Sequence, residues 1–193
     1  MSTKKDHIVK AAKELFWKYG IKRVTIEEIC LLANASKMTY YKHFSNKIDI
    51  VKHIFETVST DALEKYRSIM DSKIPFREKV LRTIDLKIEQ TNNISREFYN
   101  ELMNSDDPEI KKMMFNRLSE NLQMILNDYK LAQKNGDIRK DMKPEFILYF
   151  LNHMLEMGQD EKLSKLYGNP QEMIMELTNF FFYGVLPRQN KTN

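Results

Sequence analysis

Residues 25–47 read TIEEICLLANASKMTYYKHFSNK, and this stretch decides the fold. Thr25 opens Thr-Ile-Glu-Glu, in which its hydroxyl can accept from the backbone three residues on while Glu28 reaches back, a capping box that starts a helix. Ile26, Ile29, Cys30 and Ala33 follow at helical spacing, so one face is buried and Cys30 packs as a small hydrophobe. Asn34 is one of the few residue types besides glycine that accept a left-handed backbone at modest cost, and a sharp turn is expected there. Ser36 then caps a helix over residues 37–43 that is too short and polar to persist unless packed on its neighbours. Two short helices joined by a tight turn, the second beginning Lys37, Met38, Thr39, have the layout of a helix-turn-helix.

Working outward, Ile8, Ala11, Ala12, Leu15, Phe16 and Tyr19 form one apolar stripe, which predicts a helix over 4–19 stopped by Gly20. On the other side Asn46 is placed to cap a long fourth helix with Ile48, Val51, Ile54, Phe55, Val58, Leu63 and Tyr66 on its inner face. Beyond it the pattern predicts helices near 75–92, 95–105, 108–134, 144–157 and 170–186. Pro75, Pro108, Pro144 and Pro170 stand in first turns, and Gly136 and Gly158 fall where stops are expected. The expected fold is all-α with about nine helices: a three-helix helix-turn-helix domain over 1–47 and a helical domain over 48–193.

Composition agrees with that reading. With 5 Gly and 5 Pro in 193 residues, a turn-rich β fold lacks its raw material, and the single cysteine excludes a disulfide framework within the chain. The first residues carry no apolar secretory segment and no run approaches the length of a membrane span, so a soluble cytoplasmic protein with no membrane partner is expected. Residues 1–47 hold ten Lys/Arg against four Asp/Glu, whereas the remainder holds 21 against 23. A basic module joined to a near-neutral one suits a nucleic-acid reader attached to a sensing or pairing domain.

Catalytic patterns are missing. The residues three before His7, His43, His53 and His153 are Lys4, Tyr40, Ile50 and Phe150, so the Glu-x-x-His pairs of a di-iron bundle do not occur. Nor is there an H-E-x-x-H, a glycine-rich phosphate loop or a G-x-S-x-G elbow. The expectation is a non-enzyme with no metal site and no cofactor.

The helix-turn-helix geometry assigns chemistry instead. A helix entering the major groove presents its N-terminal residues to base edges: Lys37 can donate to guanine, Met38 can pack on a thymine methyl, and Thr39 can do either. Tyr41 and Lys42 lie further along, toward phosphates, while His43 either joins them or packs within the module. Thr25 and Lys47, at the N-termini of helices two and four, are placed to add donors to phosphate oxygens, and Ser36 completes the expected DNA-binding set.

Gly20, Thr25 to Ile29, Ala33-Asn34-Ala35-Ser36, and Tyr41-Lys42-His43-Phe44 followed by Asn46-Lys47 resemble the DNA-binding domain of the TetR family of repressors. The resemblance covers about residues 8–50 and departs from the family pattern at Asn34 for a turn glycine, Cys30 for alanine and Met38 for a small residue. It implies a homodimer that binds a pseudo-palindromic double-stranded DNA operator and leaves it when a small apolar or amphipathic effector enters the C-terminal domain. It further implies that Tyr41 and Lys47 contact phosphates, that Lys37 to Thr39 face bases, and that Tyr40 and Phe44 pack inward. On that analogy Phe55, Val58, Ile84, Ile88, Phe98, Leu102, Met114, Leu118 and Leu122 are the candidate pocket wall. Phe146, Phe150, Met154, Leu177, Phe181 and Phe182, in helices with more apolar residues than one buried face needs, are the candidate dimer interface. The alternatives are a co-regulator of the same fold without a ligand, and an all-α dimeric module that does not bind DNA.

Overall fold

A computed structural model describes residues 3–186; the ends of the two expected domains, residues 1–2 and 187–193, lie outside the described residues. Among the described residues there are ten helices and no strand: α1 (Lys4–Tyr19), α2 (Ile26–Leu32), α3 (Lys37–Tyr41), α4 (Lys47–Asp71), α5 (Phe76–Thr91), α6 (Arg96–Met103), α7 (Pro108–Asn135), α8 (Pro144–Gln159), α9 (Glu161–Ser164) and α10 (Pro170–Val185). The all-α fold read from the sequence is the observed one, with one short helix more. That helix, α9, starts where Asp160 accepts from the backbone of Lys162 and Leu163 at 2.7 and 2.9 Å. Gly158 is not a stop: α8 runs through it to Gln159.

The chain forms two compact units, Met1–Leu63 with Asn92–Met114, and Glu64–Thr91 with Phe115–Asn193. The first encloses a core of Ile8, Phe16, Val24, Ile29, Tyr40, Phe44 and Ile50, each at most 3% exposed, together with Phe98 of α6 and Ile110 of α7. This core extends past residue 47 along α4. Trp17 of α1 stacks on Phe98 with ring centroids 4.2 Å apart, and the Ser95 N–H donates to the Trp17 carbonyl at 2.8 Å. Helix α6 is therefore an integral wall of the module that holds the helix-turn-helix.

The second unit is built on α5, the C-terminal part of α7, α8 and α10. Its core centres on Phe76, Val80, Tyr129, Ile138, Ile147, Phe181 and Val185, with the Tyr129 ring 5.5 Å from that of Phe181 and edge-on to Phe76.

Candidate nucleic-acid interface

Local chemistry fixes both helices of the motif. The Thr25 N–H donates to Glu28 Oε2 at 2.8 Å and the Glu28 N–H to Thr25 Oγ1 at 3.2 Å, so the capping box is closed, and the Thr25 hydroxyl itself donates to Glu28. Asn34 adopts φ 48°, the left-handed turn conformation, and the Ala35 N–H returns to the Cys30 carbonyl at 2.9 Å. Lys4 Nζ donates to the Asn34 carbonyl at 3.0 Å and ties α1 to this turn. Ser36 Oγ accepts from the Thr39 N–H at 3.1 Å and shares a 2.9 Å hydrogen bond with the Thr39 hydroxyl.

Inward, Tyr40 is wholly buried and its hydroxyl donates to the Asn46 carbonyl at 3.1 Å, while Phe44 packs beside it. Cys30 is buried, and burial pushes its thiol above the ordinary value. Outward, Thr25, Ser36, Lys37, Met38, Tyr41, Lys42 and His43 are exposed, and Thr39 and Lys47 are half-buried. Met38, at 83% exposure, is more open than any core-packing role allows. Leu31 and Leu32, at the end of α2, are also exposed and were not among the residues expected at this face. A helical stripe alone does not distinguish an outward leucine from an inward one.

Lys47 has partners of its own. Its ammonium donates to the carbonyls of Lys22 and Val24 at 3.1 and 2.9 Å, and burial holds its pKa below the usual lysine value against the pull of Glu101 and Glu28. One of its three N–H groups stays available to a phosphate. From the other side Glu101 of α6 accepts from the N–H groups of Ile21 and Lys22, the latter at 2.8 Å. Gly20, at φ 82°, permits this approach: a Cβ there would sit 3.0 Å from the Glu101 carboxylate. The turn into α2 is thus bracketed by a cation on its carbonyls, from 25 and 23 residues away, and an anion on its amides, from 80 and 79 residues away, which no local pattern could reveal. Lys37, first residue of α3, pairs with Glu27 of α2. The contact holds Glu27 below and Lys37 above their ordinary pKa values.

The residues of the expected pocket wall are divided between the two units. Phe98 is in the first unit's core, with Val58, Leu102 and Met114 packed against it. Ile84 is in the second core, Leu122 packs against that core, Ile88 is exposed, and Phe55 and Leu118 are half-buried. The second unit carries a cleft of about 580 Å³ lined by Arg67, Ser119, Glu120, Gln123, Met124, Asn127 and Asp128. Of the expected dimer residues, Phe146 is exposed, Phe150, Met154, Leu177 and Phe182 are half-buried, and Phe181 is in the core. The bare aromatic residues of these helices are Phe146, Tyr149, Phe180 and Tyr183. Among the described residues no three His, Cys, Asp or Glu side chains are placed to hold a metal ion, and no helix is long and apolar enough to cross a membrane.

Residues 8–54 match the family of bacterial regulatory proteins, tetR family. The uncharacterized HTH-type transcriptional regulator YhgD of Bacillus subtilis (strain 168) is 30% identical over 100 residues, 51% of this chain and 52% of its own length, so the chain spans about half of that curated relative. Among solved structures, regulatory protein TetR from Rhodobacter sphaeroides superposes with a TM-score of 0.75 at 16% identity, over 96% of this chain and 100% of the other. A regulator from Saccharomonospora viridis, in complex with choline, superposes with a TM-score of 0.72 at 19% identity, over 94% and 97%. At these identities the two structures establish a shared fold.

Proposed function

We propose, from the match of residues 8–54 to the tetR family of bacterial regulatory proteins, that the chain is a DNA-binding transcriptional repressor of that family that grips a pseudo-palindromic operator as a homodimer and is released by a small molecule. The observation that carries this reading is the capped, buried-backed α3, which turns Lys37, Met38 and Thr39 outward from a segment with a large excess of positive charge. In that role Lys37, Met38 and Thr39 read base edges, and Tyr41, Lys42, His43 and the free N–H of Lys47 meet phosphates.

Bare Phe146, Tyr149, Phe180 and Tyr183 support pairing, since a second copy would bury them. The effector draws support from the choline-bound regulator of the same fold. The cleft along α7 sets Met124 and other apolar surface beside Arg67 and Asp128, which favours an amphipathic molecule over a purely apolar one.

The test is a mobility-shift titration of the full chain on a duplex taken from upstream of its own gene and on a random duplex of equal length. A preference for the first, in a complex of two chains, is the expected result. Equal affinity for both duplexes at every salt concentration overturns the reading.

A further inference from the structure

The Lys37–Glu27 pair does not earn its place by holding the fold. Both side chains are more than half exposed, at 55% and 59%, and pairs in that setting contribute little to stability. Glu27 is not needed as a cap either, because Glu28 already closes the N-terminus of α2. Asp6, on α1, has its own box with Thr3. What the contact does is place a carboxylate on the base-reading lysine of α3, at the face proposed to meet a polyanion.

We propose that Glu27 is a specificity-determining residue: it withholds the Lys37 ammonium from phosphates and leaves it available to a base edge. The inference rests on the DNA-binding reading. A lysine that leaves Glu27 for a phosphate abandons an uncompensated carboxylate in the field of the DNA backbone, so the exchange of one anion for another gains little. An ammonium has three donors, and it can keep one on Glu27 while donating another to guanine O6 or N7 in the groove. Random DNA therefore receives one fewer effective cation than the lysine count suggests, while the matched site keeps its contact.

The experiment compares the full-length wild type with Glu27→Gln, Lys37→Ala and the double variant, on the upstream and random duplexes across a salt series. The glutamine keeps the size of the side chain and removes its charge. Glu27→Gln is expected to bind random DNA about 5–10-fold more tightly near 0.1 M salt, with a salt slope steeper by about 1, the signature of one added phosphate contact. The gain on the upstream duplex should be smaller, so the ratio between the two falls, and in the double variant the gain should vanish. Wild type that binds DNA while Glu27→Gln shows the same affinity and slope overturns the inference alone, as does a gain that persists without Lys37. Wild type that binds neither duplex in a salt-dependent manner overturns the DNA-binding reading, and the inference falls with it.

Discussion

The two compact units end differently at their surfaces. In the first, the large core side chains are sealed, the exposed large hydrophobic ones, Leu31, Leu32, Met38 and Tyr41, all lie on the helix-turn-helix, and the turn leading into α2 has its amides on Glu101 and its carbonyls on Lys47. In the second, among the described residues, two buried polar atoms, Arg67 Nε and the Tyr129 hydroxyl, have no hydrogen-bond partner, an open cleft lies along α7, and five aromatic side chains, Phe115, Phe146, Tyr149, Phe180 and Tyr183, are exposed. Buried polar groups are nearly always satisfied and large apolar side chains seldom gather on a free surface, so each exception asks for a partner. On the proposed reading, the first unit has to present one rigid geometry to DNA, and the exposed aromatic face of the second is what a second copy would cover. Trp17, the single tryptophan, lies in the first unit and lets its unfolding be followed by fluorescence separately from the helicity of the whole chain.

The contrast is tested most severely by deleting an aromatic ring from each side. Phe16→Ala opens a cavity in the sealed core and should lower stability by about 3–5 kcal/mol, seen as a collapse of the Trp17 transition in urea. Phe180→Ala removes a ring that is 72% exposed and should leave that transition within about 0.5 kcal/mol of wild type. Its effect should appear in sedimentation, as a shift from dimer toward monomer. If Phe180→Ala destabilises the fold as much as Phe16→Ala, the bare aromatic face is part of a core and the contrast between the units is lost.

Next in size is the polar cluster of the second unit. Asp128 accepts from the Tyr66 hydroxyl at 3.0 Å and from Arg67. Asp128→Ala strips both donors of their acceptor and should cost about 2–3 kcal/mol. The loss should register in the helicity of the chain more strongly than in Trp17. Equal losses by both probes would mean that the two units unfold as one.

What the sequence disclosed and what it hid follow from the range of the interactions. The Thr25–Glu28 box, the left-handed Asn34 and the Ser36 cap are matters of three or four residues and are found as expected, and Tyr40 is buried as the family resemblance implied. The Glu101 bracket, the Lys47 struts and the Lys37–Glu27 pair join segments that only the folded chain brings together. Periodicity also fails where a helix is apolar all round. In Phe180-Phe181-Phe182 the middle ring is buried, the first is bare and the third half-buried, an order set by what α10 packs against rather than by composition. Nor does periodicity separate a pocket wall from a core, since apolar residues that suit a cavity suit a solid core equally.

The Glu101 bracket gives the third test. Glu101→Ala leaves the N–H groups of Ile21 and Lys22 without their acceptor and should lower stability by about 1–2 kcal/mol, this time with the Trp17 signal leading. Because the turn feeds directly into α2, affinity for the upstream duplex should fall more than affinity for random DNA. A variant that loses stability but keeps its preference would confine Glu101 to a structural role.

The smallest effect is a pH dependence of the first unit. His53 of α4 is half-buried with its ring 5.5 Å from that of Phe44, and burial, followed by the charge of Lys5 on α1, holds its pKa below the ordinary histidine value, against the opposing pull of Glu56 and Asp49. The unfolded chain then binds a proton more readily than the folded one, so stability is fully present above the unfolded value of about 6.5 and declines as pH falls through it, levelling off below the folded value. Urea midpoints read from Trp17 should therefore drop between about pH 8 and pH 5, and His53→Gln should remove part of that drop. Lys5→Gln should shrink it too, because the imidazolium would no longer face a like charge. The carboxylates of both units act in the same direction at lower pH, which makes the difference between wild type and His53→Gln the quantity to measure. A wild-type midpoint that stays flat over this interval, or a drop that the substitution leaves unchanged, would show that the sealed unit tolerates the proton as easily as the unfolded chain does.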